Sequence, residues 1–189
     1  LYLYTAGGNL VKQITKGNFE VKDFLGWDQA NNTFYFTSNE GSPLRTAVYK
    51  IDAKGKKTKL STQEGSNSAI FSKNMKYFVN TYSSANIPPV ITLNDNKGKV
   101  LTTLVDNQKL KQQMSGLNMP SKEFFTFKTT DGVELNGWIM KPAHFDTNKK
   151  YPVILHQYSG PGSQQVLDRW GIGAMGNGGL FEAYMADKG

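Results

Sequence analysis

AVYKIDAKGK at 47–56 returns as VITLNDNKGK at 90–99, and the same shift carries TFYF at 33–36 onto KYFV at 76–79. The turn glycines Gly55 and Gly98 stand 43 residues apart, a period that belongs to propeller blades of four strands each. A third, partial copy opens the chain: LYLYTAGGNLVKQIT at 1–15 has the strand, glycine turn and strand with which the other two copies end. Apolar and polar residues alternate with period two between clusters of Gly, Asn, Asp and Ser, which favours strands over helices. A single blade cannot bury both its faces, so blades must stack on neighbours. The pattern predicts an incomplete β-propeller of about two and a half blades, an arc and not a closed ring.

The periodicity stops after Val105. DNQKLKQQMSGLNMPSKEF at 106–124 is polar, spaces Leu110, Met114 and Leu117 as a helix does, and closes with Pro120, so it predicts a short helix and a linker. The boundary is expected between 117 and 118: residues 1–117 as last blades and linker, 118–189 as a second domain. There, 124–142 predicts two strands around a turn at Asp131-Gly132. YPVILHQY at 151–158 predicts an apolar strand buried inside a mixed or parallel sheet. A glycine-rich stretch follows, then LFEAYMADKG, with Leu180, Phe181, Tyr184 and Met185 on one helical face and Gly189 as C-cap. Hairpin, buried strand, glycine loop and helix are the opening of an α/β sheet domain. The fold class expected is therefore mixed and mainly β.

The 189 residues are 38% hydrophobic and 20% charged, a globular composition. A net charge of +7 invites a nucleic-acid role, but the lysines sit at turns. The densest run, KGKKTK at 54–59, reads as a solvated hairpin edge that discourages edge-to-edge pairing. No basic helix or recognition motif accompanies the charge, so no nucleic acid is expected as partner. Without cysteine there is neither a disulfide framework nor a thiolate ligand or nucleophile. No apolar run approaches the length of a membrane span, and the chain starts in mid-strand, as though cut from a longer protein.

At QYSGPGSQ, 157–164, directly after the apolar strand, the sequence resembles the prolyl oligopeptidase family of serine peptidases, in its dipeptidyl peptidase IV branch. TKGNFEV at 15–21, FYFTSNEG at 34–41, FSKNMKYF at 71–78, NMPSKEF at 118–124 and KKYPVIL at 149–155 follow in the order expected for the end of that family's propeller and the start of its catalytic domain. The resemblance implies an eight-bladed propeller capping an α/β-hydrolase domain. It also implies release of N-terminal dipeptides, Xaa-Pro or Xaa-Ala, from peptides with a free N-terminus. It further implies a homodimeric parent, a periplasmic or otherwise extracytoplasmic location, and packing of this chain against further blades and the rest of the hydrolase domain. An oligopeptidase or acylaminoacyl peptidase of the same family, or a propeller-hydrolase scaffold without catalysis, are the alternatives.

In acyl transfer the charge developing on the carbonyl oxygen must meet preset hydrogen-bond donors. The resemblance makes Tyr158 the donor of an oxyanion-hole hydroxyl, with Gly160, Pro161 and Gly162 as the turn that holds it. No serine here has the G-x-S-x-G context of a nucleophile elbow; Ser163 sits in P-G-S-Q. The Ser-Asp-His triad is accordingly expected outside these residues, and the chain alone is expected to be inactive. His144 and His156 lie in a loop and a strand without carboxylate spacing, so neither a catalytic base nor a metal site is expected, and no cofactor. The G-x-G-x-x-G at Gly171, Gly173 and Gly176 is separated from the preceding strand by QQVLDRW and predicts a loop, not a dinucleotide site. The family's paired glutamates, which anchor the substrate amine, have no counterpart in this chain.

Overall fold

The computed structural model describes residues 1–117, 119–158, 160, 162–173 and 179–188. They form two compact units, one of Leu1–Ser83 with Pro89–Asp106, the other of Ser84–Pro88 with Asn107–Gly189. The division falls at Asp106/Asn107, upstream of the 117/118 boundary expected from the end of the periodic pattern. The short helix is grouped with the second unit, as is the five-residue tip Ser84–Pro88.

In the first unit β1 (Tyr2–Tyr4) and β2 (Leu10–Gln13) make an antiparallel pair. The next sheet has the order β3 (Val21–Asp28), β4 (Thr33–Ser38), β5 (Ala47–Asp52), β6 (Lys57–Lys59). The third repeats it with β7 (Ser66–Phe71), β8 (Tyr77–Ser84), β9 (Ile87–Asp95) and β10 (Val100–Val105). Both four-stranded sheets are meanders, so each strand pairs with its chain neighbour, as in a blade. The lysine run lands as expected: β6 is an edge strand.

The 43-residue repeat extends to individual hydrogen bonds. Asp52 Oδ1 accepts from the backbone N–H of Lys54 and of Lys56, both at 2.9 Å, and Asp95 Oδ1 accepts from Lys97 and Lys99 at the same distances. Gly55 and Gly98 take the left-handed backbone these turns need, at φ 88° and 91°.

Period-two alternation sends neighbouring side chains of the middle sheet into different cores. Phe34, Phe36, Ala47, Tyr49 and Ile51 pack on one face, with Leu1, Leu3 and Ile14 against them. Tyr35 and Val48 point to the other face, where they meet Ala69, Met75 and Phe78 of the following sheet. Phe36 and Val48 are fully buried. Burial on both faces is what stacking requires, and truncating Phe36 to Ala costs on the order of 3–5 kcal/mol.

In the second unit α1 (Gln108–Ser115) forms as expected, although none of its residues is buried. β11 (Lys122–Lys128) pairs antiparallel with β12 (Glu134–Met140) in register from Lys122↔Met140 to Lys128↔Glu134. The turn is the one expected at Asp131-Gly132: Gly132 has φ 80° and donates to Thr129 O at 2.9 Å.

One expectation fails in detail. Residues 151–158 form no strand, and Val153, Ile154 and Leu155 are 83%, 65% and 88% exposed. An apolar strand is buried when it pairs with neighbours in a sheet whose faces are covered, and no described strand pairs with this segment. The helix α2 (Leu180–Lys188) forms as expected, with Ala183 buried and Leu180 and Tyr184 exposed. Phe181 on the same face is half-buried. Gly189, the expected C-cap, lies outside the described residues.

Candidate active site

Tyr158 ends the apolar segment 151–158 and is 60% exposed. Two residues on, the backbone of Gly160 passes directly beneath its ring. A methyl group at Gly160 would meet the Tyr158 hydroxyl oxygen at 2.7 Å and the adjoining ring carbon at 2.8 Å. Real Cβ contacts are longer than this, so the observed ring position requires glycine at 160. The turn continues with Ser163 N–H donating to Gly160 O at 3.1 Å, and Gly162 has φ 76°. Ser159 and Pro161 lie outside the described residues. The arrangement presents an accessible phenol hydroxyl on a short turn, a group able to donate one hydrogen bond to a developing oxyanion.

The other candidates of the sequence fall elsewhere. Ser163 belongs to the irregular loop, where its Oγ accepts from Gln165 Nε2 at 2.8 Å. His144 and His156 are exposed. Gly171 has φ 75° in a turn, and the Gly173 backbone lies against Gly179, but Gly176 is outside the described residues. An open hollow of about 500 Å³ is lined by Met119, Glu123, Lys141, His144 and Phe145 among others, and Tyr158 is not part of its wall.

Sequence reasoning missed three polar residues that the fold makes prominent. Asp168 is 7% exposed and accepts from the backbone N–H of Ala85 at 2.9 Å. Asn86 pairs with the Lys122 backbone in both directions, donating to its carbonyl at 3.0 Å and accepting from its N–H at 2.9 Å. Lys122 itself is buried, with Nζ 4.6 Å from the centre of the Trp138 ring. Burial holds its ammonium below the usual lysine range, and the carboxylate of Glu182 opposes that shift. Nothing in the sequence marks these residues, because their partners are distant along the chain.

The sequence profile of the dipeptidyl peptidase IV (DPP IV) N-terminal region matches residues 1–89. The crystal structure of Porphyromonas gingivalis dipeptidyl peptidase 4 is 47% identical and superposes with a TM-score of 0.91, covering 100% of this chain and 26% of that one. The chain belongs to the dipeptidyl peptidase IV family. Its curated relatives in the family carry the same kind of name. A protein of Podospora anserina named "Probable dipeptidyl-aminopeptidase B" is 38% identical over 165 residues, 84% of this chain and 18% of that protein. One of Aspergillus flavus named "Probable dipeptidyl peptidase 4" is 31% identical over 173 residues, 90% of this chain and 22% of the relative. The chain thus spans about a fifth of the length of these family members. No helix among the described residues is long and apolar enough to cross a membrane.

Proposed function

We propose that this chain is part of a serine-type dipeptidyl peptidase that releases Xaa-Pro or Xaa-Ala from the free N-termini of peptides, and that Tyr158 supplies one donor of its oxyanion hole. The observation carrying this reading is the exposed Tyr158 hydroxyl seated over Gly160 in a chain of this family. A donor held in place before reaction stabilises the tetrahedral intermediate without reorganising at the moment of attack. The blades belong to its propeller, and residues 118–189 open the hydrolase domain. Val153 and Leu155 in segment 151–158 are exposed and offer apolar surface for the rest of the protein to cover.

The chain contains no G-x-S-x-G elbow, so the nucleophile and its Asp and His partners reside in other parts of the protein. By itself the chain leaves a Gly-Pro chromogenic substrate intact, whereas the whole protein cleaves it and is inactivated by a serine-directed organophosphate. Cleavage by the purified chain alone, or organophosphate resistance of the whole protein, contradicts this assignment. The enzyme acts outside the cytoplasm, in keeping with the resemblance, and recovery of the whole protein solely from the cytosol contradicts that location.

A further inference from the structure

A buried carboxylate is costly unless hydrogen bonds compensate for lost water. Asp168 meets that requirement through a residue 83 positions away, the main-chain N–H of Ala85 at 2.9 Å. The next residue, Asn86, grips the first residue of β11 through two hydrogen bonds, a side-chain imitation of a strand neighbour. The tip Ser84–Pro88 therefore holds two points of the second unit at once, Asp168 and Lys122.

Asp168 closes the stretch that begins at Tyr158. The described residues between them contain no helix or strand; Ser163 N–H donates to Gly160 O and Gln165 Nε2 to Ser163 Oγ. A loop without ladder hydrogen bonds keeps its shape through its anchored ends. A donor misplaced by about 1 Å can lose two orders of magnitude in rate.

We infer that Asp168 and Asn86 are positioning residues for Tyr158: the hairpin tip, fixed by Asn86 to β11, holds Asp168 and through it the loop that seats the tyrosine. The inference rests on the oxyanion reading of Tyr158. It concerns the rate of the chemical step and not substrate affinity.

The test is a mutant cycle in the whole protein with a Gly-Pro chromogenic substrate, comparing Asp168→Ala, Asp168→Asn, Tyr158→Phe and the double variant Asp168→Ala with Tyr158→Phe. The expected result for Asp168→Ala is a kcat about tenfold lower with KM moved less than about twofold. Asp168→Asn keeps an oxygen that accepts from Ala85, and it is expected to restore kcat to within about twofold of wild type. In the Tyr158→Phe background Asp168→Ala costs no more than about twofold, since the group it positions is gone. An unchanged kcat for Tyr158→Phe removes the oxyanion reading and this inference with it. A normal Tyr158→Phe effect combined with equal Asp168→Ala losses in both backgrounds, no loss at all, or no recovery in Asp168→Asn overturns the positioning role alone. Should Asp168→Ala not fold, Asn86→Ala is measured in the same cycle, with the same non-additivity expected and additive losses overturning the inference.

Discussion

The ring of Tyr158 rests on the backbone of Gly160, so close that a single added methyl group would stand 2.7 Å from the phenol oxygen. Gly160→Ala therefore swings the tyrosine off its seat while leaving its hydroxyl chemically intact. In the whole protein kcat is expected to fall by at least about tenfold, bounded by the loss seen on deleting the hydroxyl itself. Thermal stability should hardly change, because the turn is exposed. Steady-state kinetics with a melting curve checks this, and wild-type kcat in Gly160→Ala rules the seat unimportant.

The repeat offers a matched pair of glycines with unequal surroundings. Gly55 and Gly98 share φ near 90°, yet a Cβ at Gly55 meets nothing within 4 Å, whereas one at Gly98 comes within 2.6 Å of the Leu60 carbonyl oxygen. Gly55→Ala carries only the left-handed strain, about 1 kcal/mol. Gly98→Ala adds a clash with main chain and is expected to lower the urea midpoint clearly further. Equal midpoints would show that the backbone around Leu60 yields freely.

Asp95 gives the turn a pH dependence. Its carboxyl is held below 3.8, first by the N–H of Lys99, with the N–H of Lys97 and both lysine charges adding to it against an opposing desolvation. With the folded value depressed, the stabilisation is complete above pH 3.8 and is lost as pH falls through the folded value. Asp95→Asn keeps an acceptor but no charge. Protection of the Lys97 and Lys99 amides from exchange should exceed that of the variant near neutrality, and the two should converge in acid. A gap that persists unchanged to the acid limit of the folded protein contradicts this origin.

The buried ammonium of Lys122 works in the opposite direction. Its value is lowered from 10.5 by desolvation, with Glu182 pulling it back up, so in the window below 10.5 the unfolded chain binds more protons than the folded one. Stability then rises with pH there. Relative to Lys122→Met, which keeps the stem but not the charge, the wild type is expected to gain stability as pH rises toward 10.5. Urea midpoints of the two proteins across that range measure it, and parallel curves would indicate a solvated ammonium.

The blades were legible because their information is local and repeated. Asp52 and Asp95, Gly55 and Gly98, and the Phe34/Tyr35/Phe36 alternation each state a turn or a face within a few residues. The hairpin turn at Gly132 was legible for the same reason. Segment 151–158 was misjudged because apolar composition records the burial a strand needs, while pairing depends on partners that the described residues do not supply. The helix α2 was legible from its spacing, while the burial of the small Ala183 was not, since alanine carries no strong apolar signal. Tyr158 could be singled out only through the resemblance around it, since a tyrosine at a segment end has no distinctive spacing. Asp168, Asn86 and Lys122 were hidden because hydrogen bonds spanning 83 and 36 positions leave no periodic trace.

The most direct measurement is kcat of Tyr158→Phe in the whole protein. The change removes one hydroxyl and leaves the ring over Gly160, so folding and KM should stay close to wild type. Loss of one oxyanion donor is expected to lower kcat by about 10² to 10³, roughly 2.7–4 kcal/mol of transition-state stabilisation. A kcat within about threefold of wild type, with or without a change in melting temperature, would contradict the oxyanion role of Tyr158.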